Sequence, residues 1–141
     1  MASVMVVHEG GLRCRAEHEP TGTVVIANAP QELGGAGETF SPTDLLSASL
    51  GGCILSIMEL SARSMDTAIP GARVIVDKEM GGTPGRIIRI DVTVQVPGVF
   101  DERQKRKPTA AADACPVHKA LAVDAPITIE WLGNEAGPVP A

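Results

Sequence analysis

Between Ser41 and Asp66 the apolar positions Leu46, Leu50, Cys53, Ile57 and Leu60, with Ser64 after them, recur at intervals of four and three. At about 100° per residue this spacing draws one stripe along a single helix, with Cys53 at its centre. Ala48, Gly51, Ile54, Leu55, Met58 and Ala62 lie on the opposite side. A helix that is apolar nearly all round is normally buried, so a reactive group on it would work in a dry pocket. Ser41 fits the N-cap and Pro42 the first helical position, where a missing N–H costs nothing. Asp66 and Pro70 close the segment.

The remaining periodicity is mostly that of strands. Residues 4–7 and 12–17, broken at Gly10-Gly11, predict a hairpin, and residues 23–27 a third strand after Pro20-Thr21-Gly22. Residues 30–38, with Gly34-Gly35-Ala36-Gly37, form a loop into the helix; they lack the GxxxxGK[ST] spacing of a phosphate loop. Residues 73–80 and 86–96 predict a second hairpin across Gly81-Gly82-Thr83-Pro84-Gly85. In its second strand Ile88, Ile90, Val92, Val94 and Val96 share one face, while Ile87, Arg89, Asp91, Thr93 and Gln95 take the other. Residues 101–114 read as a helix with an acidic first turn, kinked or split at Pro108. A short helix begins at Cys115-Pro116, and residues 127–131 form a last strand. One α+β domain over residues 1–132 is expected, followed by a polar, proline-containing mobile tail over 133–141.

Composition narrows the picture. The chain has 141 residues, 44% of them apolar and 21% charged, as in a globular domain. One Trp, two Phe and no Tyr leave a core of aliphatic residues, which makes burial in an oligomer attractive and points to a dimer. A net charge of −5 without a basic stripe argues against nucleic acid or an anionic membrane as partner; Arg103 to Lys107 is a solvated helix face. The first residues lack the pattern of a signal peptide, and no run approaches the roughly 20 apolar residues of a membrane span, so the expected location is cytoplasmic.

Three cysteines, Cys14, Cys53 and Cys115, stand far apart, which is no disulfide framework of a secreted domain. Cys115 at a helix start lies near unpaired N–H groups and the positive end of the helix dipole, with His118 and Lys119 three and four residues on; these favour a thiolate. The alternative is a cysteine that only caps and fills space. Cys53, in an apolar helix, is a core cysteine unless a donor or cation reaches it. Cys14, flanked by Arg13 and Arg15, reads as structural. Without a CxxC pair or an HxxxH motif, zinc at Cys14, Cys53, Cys115 and His118 is disfavoured.

Ser41-Pro42-Thr43-Asp44-Leu45-Leu46 with Leu50-Gly51-Gly52-Cys53, and 62 residues further on Cys115-Pro116-Val117-His118-Lys119-Ala120-Leu121, together resemble the OsmC/Ohr family of organic hydroperoxide reductases. The loop from Pro30 to Gly37 also resembles the segment before the central helix in the Ohr branch. The resemblance implies an intertwined homodimer in which antiparallel sheets from both chains wrap around two long central helices. It implies a thiol peroxidase without metal or organic cofactor: Cys53 attacks an organic hydroperoxide, Cys115 resolves the sulfenic acid as a Cys53–Cys115 disulfide, and a dithiol or lipoyl-type reductant restores both thiols. The family pairs an arginine and a glutamate near the reactive thiol. Thr43 stands at the glutamate position and Leu12 at the arginine position; Arg13, one residue on, is the candidate cation, although a one-residue step along a strand reverses the face a side chain takes. An OsmC-like redox-sensing or small-ligand-binding protein with little turnover is the alternative function.

Overall fold

In the computed structural model residues 3–134 are described. They fall into two compact units, Met1–Leu46 and Ser47–Ala141. The first carries β1 (Val4–Gly10), β2 (Arg13–His18) and β3 (Thr23–Asn28) as an antiparallel sheet in chain order. The expected hairpin turn is made by Gly10, Gly11 and Leu12, all at positive φ (85°, 60° and 58°). A leucine in the left-handed region is sterically costly. Its carbonyl is held in return, accepting the Ala29 N–H at 3.0 Å. Buried Asn28 completes the anchor: its Oδ1 accepts the Gly37 N–H at 2.7 Å and its Nδ2 donates to the Leu12 carbonyl at 3.5 Å. The glycine loop is thereby folded back tightly, and a Cβ on Gly35 would lie 1.8 Å from the Ala29 oxygen.

α1 (Pro42–Arg63) starts where its cap predicts: the Asp44 N–H donates to Ser41 Oγ at 3.1 Å and the Ser41 N–H to the Asp44 carboxylate at 2.9 Å. Most of this helix belongs to the second unit. There β4 (Arg73–Gly81) pairs antiparallel with β5 (Arg86–Pro97), and β6 (Ile127–Gly133) pairs with β5 in parallel, so this sheet is mixed rather than wholly antiparallel as expected. The intervening α2 (Glu102–Asp113) and α3 (Pro116–Ala120) supply the crossover that a parallel pair requires. The tail expected over 133–141 lies, from residue 135 on, outside the described residues, and Gly133 is the last residue of β6.

The core joins Leu50, Ile54 and Met58 of α1 to Ile90, Val92, Val94 and Val96 of β5, with Ala112, Cys115 and Ala125. The β5 alternation holds except at its open end, where Ile88 is exposed. On α1 the buried set is Leu50, Gly51, Ile54, Met58 and Ala62, not the stripe centred on Cys53. Leu60 is 60% exposed, so within one chain the helix is buried on one side only. With a mean hydropathy of 1.6 over its best window, α1 is long and apolar enough to cross a bilayer by length and composition, a correction to the expectation that no run would be; a core helix packed on a sheet passes the same test. Gly51 allows a close approach to β4, its Cβ position lying 3.5 Å from Val74 and Val76. Pro108 neither splits nor ends α2. Its ring is fully buried, and the reciprocal Asp101–Gln104 capping box secures the first turn, which offsets a penalty of about 3 kcal/mol for an interior proline.

Candidate active site: a pair of thiols

Cys115 is the N-cap of α3 and Pro116 its first residue. The cysteine side chain does what a serine would at this place: its Sγ accepts the His118 N–H at 3.4 Å. The residue is wholly buried within the core, wedged among groups from α1, β5 and α2. Burial pushes its thiol above the ordinary range, and a hydrogen bond with the Cys53 side chain raises it further; the amides of His118 and Val117 pull the other way. Burial wins over the helix start, because removing a small charge from water outweighs a few weakly aligned N–H donors. The expectation of a thiolate at Cys115 is therefore corrected. His118 contributes a backbone donor, while its ring turns to the Ala125 carbonyl, 2.7 Å from Nε2.

Cys53 sits three residues after Leu50 and one before Ile54, at the margin of the buried face of α1. It is half-buried and packs against the core. Its sulfur lies within hydrogen-bonding reach of Cys115, and both are free thiols. Two cysteines 62 residues apart are thus brought together, one partly accessible and one sealed. The Cys53 side chain raises the Cys115 thiol, the direction expected where Cys115 S–H is the donor and the Cys53 sulfur the acceptor. Next to Cys53, Gly52 is exposed and has no atom within 4 Å of its Cβ position.

The other candidates lie in the first unit. Arg13 binds Glu9 at 3.1 Å and has Glu38 at 3.9 Å. Arg15 pairs with Glu17 at 2.8 Å. The electropositive setting anticipated for Cys14 is accordingly balanced by carboxylates; this half-buried thiol faces His8 on β1 and Ala27 on β3 across the sheet. Leu12, at the position where the family arginine is expected, makes the turn described above, and its side chain reaches within 3.8 Å of the Cβ position of Gly34. Thr43 hydrogen-bonds Ser41 at the start of α1. Among the described residues no group of three or more His, Cys, Asp or Glu side chains is placed to hold a metal ion.

The fold and the site define a class: α+β proteins with two sheets, in which a core helix and a short capped helix present a pair of thiols to one another. Residues 35–130 match the family model described as OsmC-like protein, and the chain belongs to that family. A solved structure from Psychrobacter arcticus, described as an osmotic stress induced and detoxification response protein, is 32% identical; the match covers 92% of this chain and 96% of that one, with a TM-score of 0.86. The organic hydroperoxide resistance protein OsmC of Legionella pneumophila shares the fold at 18% identity and TM-score 0.73, over 92% of this chain and 97% of its own. An OsmC-like protein of unknown function from Vibrio cholerae also shares it, at 11% identity and TM-score 0.77, over 92% of this chain and 99% of its own. No curated protein matches the chain.

Proposed function

We propose that this protein is a cysteine-based peroxidase that reduces organic hydroperoxides to alcohols. The observation that carries the reading is the approach of a half-buried Cys53 to a buried Cys115, whose thiol burial pushes above the ordinary range. Cys53 as thiolate attacks the terminal oxygen of ROOH; the O–O bond breaks, ROH leaves with a proton, and Cys53 becomes a sulfenic acid. The Cys115 sulfur then attacks the Cys53 sulfur, water departs, and a Cys53–Cys115 disulfide forms. A dithiol or lipoyl-type reductant restores both thiols by exchange and is itself oxidised to a disulfide, which suits a reducing, cytoplasmic setting. Membership of a family that includes organic hydroperoxide resistance proteins supports the substrate class. No step calls for a metal or an organic cofactor. Arg13 is the candidate cation for the thiolate, a role its carboxylate partners would modulate.

The working unit in this reading is an intertwined homodimer. Val4, Met5, Val6 and Val7 of β1 and Val24 and Val25 of β3 are all exposed in one chain, as is Leu60 of α1. Apolar surface on this scale calls for a cover, and a second copy provides one. Purified protein should consume cumene hydroperoxide when supplied with dihydrolipoamide or dithiothreitol, Cys53→Ser should abolish turnover, and sedimentation should give twice the chain mass. Turnover no higher than that of Cys53→Ser would favour the second reading, an OsmC-like redox sensor or small-ligand binder. That reading has observations of its own: Leu12 and Thr43 stand where the family's arginine and glutamate are expected, and Arg13 is engaged by Glu9 at 3.1 Å.

A further inference from the structure

His118 does more than follow Cys115 in the chain. Its amide N–H caps the Cys115 sulfur at 3.4 Å, and its Nε2 lies 2.7 Å from the Ala125 carbonyl. A carbonyl only accepts, so Nε2 carries the proton. Nδ1 is left buried and without a partner, so the ring has one polar tie and no second one to fall back on. The anchor at the other end of that tie is fixed. The carbonyls on either side of Ala125 are bonded to β5, Asp124 accepting the Ile90 N–H at 3.0 Å and Pro126 the Val92 N–H at 3.1 Å. One hydrogen bond thus refers the first turn of the five-residue α3, and the sulfur at its cap, to the central strand of the sheet.

We propose that His118 is a positioning residue that sets how readily Cys115 closes on Cys53, an inference that rests on the reading of these two cysteines as a disulfide-forming pair. A disulfide demands a narrow range of Cα and Cβ separations and a dihedral near 90°. Five residues of helix cannot hold that geometry by themselves. Without the ring tie, α3 keeps its amide cap but loses its reference to β5, and Cys115 samples orientations from which closure is unfavourable.

The test uses His118→Ala and His118→Gln in the full chain. Glutamine carries an amide donor at about the reach of Nε2 and so restores the tie. In buffers of oxidised and reduced dithiothreitol, the Cys53–Cys115 equilibrium should shift toward the dithiol by about tenfold or more in His118→Ala, because a disulfide closed away from its preferred geometry is strained and more reducible. His118→Gln should recover most of the loss. With one equivalent of cumene hydroperoxide, closure of the Cys53–Cys115 disulfide after the first oxidation should slow in His118→Ala and recover in His118→Gln. Equal closure in wild type and His118→Ala, or no recovery in His118→Gln despite an unfolding midpoint like that of wild type, would overturn the proposal. The exchange equilibrium needs no peroxide, so a wild-type protein inert to hydroperoxides would refute the peroxidase reading while leaving the role of His118 to be decided by the dithiothreitol series.

Discussion

Replacing Cys115 by alanine removes two things, of which serine would keep only the first. The first is an acceptor for the His118 N–H, which is left facing the core; losing such a cap is worth about 1 kcal/mol. The second is the buried sulfur itself, similar in size to a methylene group, whose transfer and small cavity add about another 1 kcal/mol. Cys115→Ala should therefore lose about 2 kcal/mol in urea unfolding followed by Trp131 fluorescence. Cys115→Ser keeps the cap but buries a hydroxyl, and should fall between wild type and alanine. The kinetic consequence is separate. Cys115 S–H donates to the sulfur that must carry the negative charge, and a donor worth about 1 kcal/mol there corresponds to roughly a fivefold effect on rate. With one equivalent of cumene hydroperoxide, dimedone trapping and intact mass should show a persistent Cys53 sulfenic acid in both variants, formed about fivefold more slowly in Cys115→Ala than in Cys115→Ser. Equal rates in the two variants would refute the donor argument. Trapping on Cys115 in a Cys53→Ser protein, with none on Cys53 in Cys115→Ser, would reverse the assignment of roles.

Because the folded protein holds the Cys115 thiol above its ordinary range of about 8.5, the unfolded chain ionises first as pH rises. Stability should be fully present below that value and fall above it, with a slope of up to about 1.4 kcal/mol per pH unit until the raised value is passed; Cys115→Ser should remove this slope in urea titrations between pH 7 and 10. Gly35→Ala would drive a Cβ into the Ala29 carbonyl, so the 29–37 loop must open; hydrogen exchange of the Gly37 and Ala29 amides should rise well above wild type, and unchanged protection would contradict the packing described. At Gly52 the Cβ position is open, so in an isolated chain Gly52→Ala should stabilise α1 by about 0.5–1 kcal/mol. If a second copy or a substrate uses that opening, the same substitution should instead weaken the dimer in sedimentation or raise KM for the hydroperoxide.

How far the chain could be read in advance depended on how local the deciding force was. The cap at Ser41, the alternation of β5, the turn at Gly10-Gly11 and the helix start at Cys115-Pro116 are set by residues within a few positions of one another, and all are found where the pattern puts them save for the exposed Ile88 at the open end of β5. The parallel pairing of β6 and the continuity of α2 through Pro108 are set by what packs across the fold, and neither has a local signature. The face of α1 that is buried follows the same rule. An almost uniformly apolar helix does not name its inner side; β4 and β5 chose Leu50, Ile54 and Met58, which left Cys53 at the margin. That choice is what makes the site chemically intelligible. A cysteine at the centre of the buried stripe would be closed to a peroxide, whereas one at its edge meets both the interior, where Cys115 lies, and the outside, from which a substrate of the proposed reaction would arrive. The link from His118 to Ala125 was invisible for a related reason. The His118 N–H falls on the Cys115 sulfur through helical spacing alone, but the direction of the ring depends on a carbonyl that only the pairing of residues 124–126 with β5 brings within reach. Resemblance to a family paired the two cysteines and helical spacing supplied the cap, while tertiary packing left Cys53 half-buried and Cys115 sealed.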